Sequence, residues 1–347
     1  MGRIGSLALR AGLDYPDLEF VAVNDLTEPE TLAYLFEFNS VHGPFEGSVT
    51  TSNGAIVIDE QPIRVLHEKD PARIPWKDLG VDVVLESTGV FEDMAGASRH
   101  LQGGARKVII TAPAKDVPTC LVMGVNQDAY NPAKDDVICM GSCTTYALAP
   151  VAKVLDETFG IERALVNTTH AYTNSQPLLD KPSNNLRRSR AGAINIVPTS
   201  TGAVRAVGMV LPSLAGKLEG IAVRVPVPDG SLLDLTCVLK REATVEQIHE
   251  AFDRAASSAE LGQYLATVNA PVVSSDIIGV DQSSVVDKTL TLASGNLAKV
   301  FSWYDNEWSF ALRVCDVASF VGDRLSVPAS GDGRDTKATK SHQKNGR

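Results

Sequence analysis

Apolar positions in the first third of the chain alternate between strand and helix spacing. Leu18 to Asn24 (Leu-Glu-Phe-Val-Ala-Val-Asn) reads as a strand ending in Asp25, and Glu28 to Phe38 continues at helical period. Val81 to Leu85 and Lys107 to Ile110 read as buried strands, with a helix around Ala95 to Leu101 between them. Such alternation predicts a doubly wound, Rossmann-like α/β unit with a mostly parallel sheet. Runs at Ser48–Thr51, Ala55–Asp59 and Pro62–Leu66, with Asn53-Gly54 between the first two, predict an antiparallel excursion closed by a tight turn.

Beyond residue 143 the pattern changes. Strands are expected at Ala164–Thr169, Leu218–Val227, Leu232–Lys240 and Leu297–Ser302, and helices near Gly202–Leu211 and Val245–Ala256. This is the pattern of an α+β domain with a mixed, mostly antiparallel sheet carrying helices. The stretch from His170 to Pro198 is long, basic and poorly periodic, as functional or partner-contacting loops are. Glu307 to Leu325 returns to helix, placed to pack back on the first unit. The expected division is therefore a doubly wound α/β unit over 1–142, completed by helix 306–326, an α+β unit over 143–305, and a polar, disordered tail over 327–347.

Composition narrows the function. The 347 residues are 44% hydrophobic and 21% charged, enough for two globular domains. The formal charge of −10 argues against a general nucleic-acid binder. No apolar run suits a membrane helix, and the first ten residues lack a signal-peptide core. Five cysteines without a C-x-x-C pair, and six histidines without ligand spacing, suggest neither a disulfide framework nor a metal site. A reducing, cytoplasmic setting follows as the expectation.

Cys143, in Met140-Gly141-Ser142-Cys143-Thr144-Thr145, directly precedes a helical stretch that includes Pro150. The helix should begin near the cysteine and bend or restart at the proline. A thiol at a helix N-terminus feels roughly half a positive charge, which favours the reactive thiolate. A buried, inert cysteine is the competing reading of this segment.

At the start, Gly2-Arg3-Ile4-Gly5 opens a helix, and Asp25 ends the strand that follows. This is the back half of a dinucleotide fingerprint, with an acid where an adenosine ribose would bind. The first glycine and its preceding strand are missing, which should leave a gap in the middle of the sheet and remove amides that hold a pyrophosphate. Either the sequence begins at an internal methionine of a longer protein, or it is a truncation that binds nucleotide poorly. The first is the expectation, because the remainder looks intact.

Taken together with Asn24-Asp25, Asn39-Ser40-Val41-His42-Gly43, Glu86-Ser87-Thr88-Gly89-Val90-Phe91, His170-Ala171-Tyr172-Thr173-Asn174, Pro198-Thr199-Ser200-Thr201-Gly202-Ala203 and Ser302-Trp303-Tyr304-Asp305-Asn306-Glu307-Trp308, these residues resemble phosphorylating glyceraldehyde-3-phosphate dehydrogenase from Gly2 to about Val321. The resemblance implies NAD as cofactor, a phosphorylated aldehyde and inorganic phosphate as substrates, and a homotetramer. It implies Cys143 as nucleophile and His170 as general base. Ser142, Thr144, Thr201 and Gly202 then look like the site for attacking phosphate, and Arg188, Arg224 and Thr173 like partners of the substrate and inorganic phosphates. Asn306 would hold the nicotinamide carboxamide and Asp25 the ribose. Gly2, Arg3, Ile4, Gly5, Thr88 and Thr111 complete the implied cofactor site.

Several positions depart from the family pattern. Met140, Gly141, Tyr146 and Ala147 surround the nucleophile where Asn, Ala, Asn and Cys are usual, and Ser309-Phe310-Ala311-Leu312 replaces Gly-Tyr-Ser-Asn. Ser175 replaces an aspartate or threonine, and Lys181 a leucine, in the segment 174–196 that resembles the inter-subunit loop of family tetramers. These changes suggest a divergent paralogue, for which resistance to thiol-alkylating inhibitors is one expectation. Two other readings stay open: a scaffold or binding protein with impaired catalysis, and the same chemistry on another phosphorylated aldehyde such as erythrose 4-phosphate.

Overall fold

The computed structural model describes residues 1–325; the tail expected over 327–347 lies outside them. The first part comprises α1 (Arg3–Gly12), β1 (Ala22–Asn24), α2 (Pro29–Glu37), β2 (Val49–Ser52), β3 (Ala55–Ile58), β4 (Gln61–Leu66), β5 (Val83–Glu86), α3 (Met94–Gln102), β6 (Lys107–Ile110) and β7 (Val137–Cys139). The second comprises α4 (Cys143–Phe159), β8 (Ile161–Ala171), β9 (Val197–Ser200), α5 (Ala203–Val210), β10 (Leu218–Val225), β11 (Ser231–Leu239), α6 (Val245–Ala256), β12 (Leu265–Val268), β13 (Ser284–Ser294), β14 (Leu297–Tyr304) and α7 (Trp308–Gly322).

Strands of the first part lie in two sheets, ordered β1-β4-β3-β2 and β5-β6-β7. The second sheet is wholly parallel and β1 pairs parallel with β4, while β2, β3 and β4 form the antiparallel excursion. Asn53 (φ 51°) and Gly54 (φ 75°) both occupy the left-handed region, which the two-residue turn between β2 and β3 requires. A cavity of about 510 Å³ separates β1 from β5, and its walls include Ile4, Gly5, Val23, Leu85, Thr88 and Thr111.

The second part is built on one seven-stranded sheet, ordered β12-β13-β14-β11-β8-β10-β9. It is mixed: β12–β13 and β8–β10 run parallel, and the other pairings are antiparallel. Sequence reading missed β9, β12 and β13; along β13 the alternating Leu290 and Leu292 face outward while Thr291 is buried.

Helix α4 joins the two parts and is buried on nearly every side. It begins at Cys143, as expected, and runs through Pro150 without a restart. The ring removes one N–H from the ladder, but Leu148, Ala149, Val151 and Ala152 on either side are fully buried and hold the axis. Helix α7 lies against α1, where Tyr15 Oη donates to Asp316 Oδ1 at 2.7 Å and the Cys315 thiol to the Ala8 carbonyl at 3.2 Å. The chain's last described helix thus closes the core opened by its first. No helix among the described residues is long and apolar enough to cross a membrane.

Candidate active site

Strand β7 ends at Cys139, and the turn through Gly141 delivers Cys143 to the first position of α4. Gly141 has φ +71°, and a Cβ there would come within 2.9 Å of the Thr145 side chain. That close approach permits a reciprocal cap: Thr145 N–H donates to Ser142 Oγ at 3.2 Å, and Ser142 N–H to Thr145 Oγ1 at 3.0 Å. The nucleophile therefore sits where the helix dipole is strongest.

His170 lies near the end of β8, with its Nε2 3.4 Å from Cys143 Sγ. Its Nδ1–H donates to the Ala171 carbonyl at 2.7 Å. That bond places the proton on Nδ1 and leaves Nε2 as a lone pair facing the thiol, the tautomer a general base needs. The parallel register of β8 and β10 sets Arg224 opposite His170. Arg224 Nη1 donates to the Ala171 carbonyl at 3.1 Å and to Thr173 Oγ1 at 3.3 Å. Its Nε is buried without a hydrogen-bond partner, a vacant donor suited to an anion.

Burial dominates the titration of the pair. It pushes the Cys143 thiol up to about 11, against the opposing pull of Arg224. It also holds the His170 imidazole down to about 3, with Arg224 adding to the effect. Burial thus favours neutral thiol and neutral imidazole in the resting pair. Desolvation opposes the thiolate that the helix terminus favours.

Tyr304, which sequence reading left without a role, braces the pair. Its hydroxyl bridges Thr144 Oγ1 at 2.9 Å and Thr168 Oγ1 at 2.7 Å, and its ring stands edge-on to His170. The Thr144 hydroxyl, a candidate phosphate contact, thus makes one hydrogen bond to Tyr304. Nothing in sequence spacing links these three residues, which come from α4, β8 and β14.

The remaining phosphate candidates divide. Arg188 Nε donates to Thr199 Oγ1 at 2.9 Å, and its charge reaches both His170 and Arg224. Thr173 and Ser175 share a hydroxyl hydrogen bond of 2.9 Å. Thr201 and Gly202 stand at the start of α5, where Thr201 Oγ1 accepts Ala203 N–H at 3.2 Å. Ser142 is engaged in its cap.

On the cofactor side, Asn306 follows β14, and its Oδ1 accepts Ser231 Oγ–H at 2.6 Å. This fixes the amide so that Nδ2 is the side able to donate to a carboxamide oxygen. Gly5 lets α1 approach β5 closely, since a Cβ would meet Ser87 Oγ at 2.7 Å. Asp25 ends β1, accepts Thr27 N–H at 2.9 Å and pairs with the Met1 ammonium. The amide and hydroxyl of Thr88 both donate to Glu86, and those of Thr111 donate to the Glu86 carbonyl. Gly2, Gly5, Asp25 and Asn306 thus supply a helix N-terminus, a carboxylate and an oriented amide, which fit a dinucleotide. Arg3 stands at the first position of α1, and its guanidinium pairs with Glu307, which ties α1 to the start of α7.

Glu307 also belongs to a buried group that sequence reading missed. His42 Nε2 lies 3.3 Å from Glu307 Oε2 and 3.4 Å from Asp229 Oδ2. Asp229 accepts the Asn306 N–H at 3.2 Å. Burial and the neighbouring Asp305 carboxylate raise the Asp229 carboxyl far above the usual range.

Comparison with known proteins agrees with this geometry. The family model for the glyceraldehyde 3-phosphate dehydrogenase NAD binding domain matches residues 1–94, and that for the C-terminal domain matches 142–306. The chain is 49% identical over 326 residues to glyceraldehyde-3-phosphate dehydrogenase of Streptomyces coelicolor, covering 93% of this chain and 97% of the relative. It is 48% identical over 324 residues to that of Geobacillus stearothermophilus, covering 93% and 96%. It is 47% identical over 324 residues to glyceraldehyde-3-phosphate dehydrogenase 1 of Bacillus subtilis, with the same coverage. With a cysteine at a capped helix N-terminus, a histidine in the basic tautomer facing it and matches spanning both parts of the fold, the chain belongs to the glyceraldehyde-3-phosphate dehydrogenase family.

Proposed function

We propose that the chain catalyses the NAD-dependent oxidative phosphorylation of glyceraldehyde 3-phosphate to 1,3-bisphosphoglycerate. The observation that carries this reading is the 3.4 Å approach of His170 Nε2 to Cys143 Sγ, with Nδ1 anchored on Ala171.

Because the resting pair is neutral, His170 removes the thiol proton as the sulfur adds to the aldehyde carbon. The proton passes to the new alkoxide, giving a hemithioacetal and restoring Nε2 as a base. His170 then withdraws the hydroxyl proton while the carbon loses hydride, leaving a thioester on Cys143. NAD, when bound, is the hydride acceptor; Asn306, held by Ser231, orients it. Arg224, with its vacant Nε, and Arg188 hold the phosphate groups. Inorganic phosphate attacks the thioester, and the acyl phosphate departs as the sulfur recovers its proton from His170.

The expected assembly is a homotetramer. Leu178, Leu179, Leu186, Ile194 and Ile196 are all more than two-thirds exposed in the single chain, an apolar surface in the segment that family resemblance assigns to subunit contact. NAD is expected over NADP, since the Asp25 carboxylate repels a 2′-phosphate; a higher kcat/KM with NADP would overturn this. The decisive assay is NADH formation from glyceraldehyde 3-phosphate with and without inorganic phosphate. Turnover dependent on phosphate supports the reading. A folded protein that binds NAD yet forms no NADH would reject it.

A further inference from the structure

Two cysteines outside the reaction lie face to face behind the catalytic one. Cys120 and Cys139 form an isolated parallel bridge, held by Leu121 N–H to the Cys139 carbonyl at 2.9 Å and Cys139 N–H to the Thr119 carbonyl at 3.0 Å. Paired strands run about 4.8 Å apart and facing side chains share one side. That spacing falls in the roughly 4.4–6.8 Å Cα range a disulfide spans. The two side chains therefore face the same side of the paired segments.

The two thiols are chemically unequal. The hydrogen bond from Cys120, backbone N–H groups of Ala114 and Gly141, and the Arg205 charge lower the Cys139 thiol despite its burial. Cys120 moves the opposite way. This is the asymmetry of an attacking and a resolving thiol. Cys237 and Cys315, equally buried, have no such setting, and burial pushes each up to about 12.

We propose that Cys120 and Cys139 are a redox-active dithiol, which a hydroperoxide converts into an intrachain disulfide at the base of the segment carrying Cys143. The Cys139 sulfur attacks a peroxide oxygen; an S–O bond forms and the O–O bond breaks. Cys139 becomes a sulfenic acid, and the peroxide's other oxygen leaves as water or alcohol with the thiol proton. The Cys120 sulfur then attacks Cys139 sulfur, an S–S bond forms, and the S–O bond breaks to release water carrying the Cys120 proton. Two thiols are oxidised by two electrons and one peroxide is reduced. Backbone pairing already sets the two cysteines in register.

The test uses the Cys143→Ser protein, which removes the competing nucleophile. The folded protein is treated with hydrogen peroxide at neutral pH, then denatured, alkylated with iodoacetamide and mapped by mass spectrometry. The expected product is a peptide pair joined through Cys120 and Cys139, lighter by two hydrogens and separated by dithiothreitol. It should form at least roughly tenfold faster than oxidation at Cys237 or Cys315. In a Cys120→Ala variant, Cys139 should instead be trapped by dimedone as the sulfenic acid. Recovery of both residues as alkylated thiols, or oxidation no faster than at Cys237 and Cys315, would overturn the proposal.

Discussion

His170 donates through Nδ1 to Ala171 and offers Nε2 to the sulfur, so its tautomer is set by one backbone carbonyl. Replacing it with asparagine should lower kcat by roughly 10²–10⁴-fold, the usual loss of a general base. Cys143→Ser should abolish NADH formation while NAD affinity stays near its starting value, measurable by fluorescence titration. Burial pushes His170 down to about 3 and Cys143 up to about 11, which disfavours a thiolate–imidazolium pair in the resting site. The rate of iodoacetamide inactivation should therefore climb about tenfold per unit between pH 6 and 9, as the thiolate fraction grows; a rate already level at pH 6 would show an ionised thiol. Asp229 makes a second titration test. Its raised carboxyl keeps a proton in the folded state that the unfolded chain loses near pH 4, so stability falls as pH rises above that value. Asparagine mimics the protonated acid, and Asp229→Asn should raise Tm by a few degrees more at pH 8 than at pH 5.

Among the elements, α4 shows how departures from a family pattern compensate. Tyr146 and Phe310, each unusual alone, meet edge-on with ring centroids 5.7 Å apart, and the Tyr146 hydroxyl donates to the Leu121 carbonyl at 2.8 Å. One change fills the space beside the other, behind the nucleophile. Tyr146→Ala should cost about 3–5 kcal/mol, as truncation of a buried aromatic does. A double-mutant cycle with Phe310→Ala should return a coupling of about 0.5–1.5 kcal/mol in denaturant titrations; additive losses would deny the pairing. The cap on α4 was readable beforehand from Ser142 beside a helical run. Continuity through Pro150 was not, because burial on all sides is a property of the folded helix.

At the scale of the whole molecule, the exposed Leu178, Leu186 and Ile194 call for partners. Sedimentation should give a tetramer, and Leu178→Asp with Leu186→Asp should shift it toward smaller species. The α/β order of the first part and β8, β10, β11 and β14 of the second were legible because each element carries its own period. Short β7, β9 and β12 were less so, since their pairing partners hold them in place. Cys143 and His170 could be named from motifs 27 positions apart, whereas their separation of 3.4 Å is a product of folding.

The chain by itself determined the succession of elements, the capped helix beneath the cysteine and the residue types a thioester reaction needs. These are local properties, written in spacing and propensity. Tertiary structure decided the rest: the tautomer of His170, the inward turn of Thr144 to Tyr304, the claim of Glu307 on Arg3, and the neutral resting state of the thiol. Each depends on burial or on a partner from another element, and desolvation has no signature in a linear sequence.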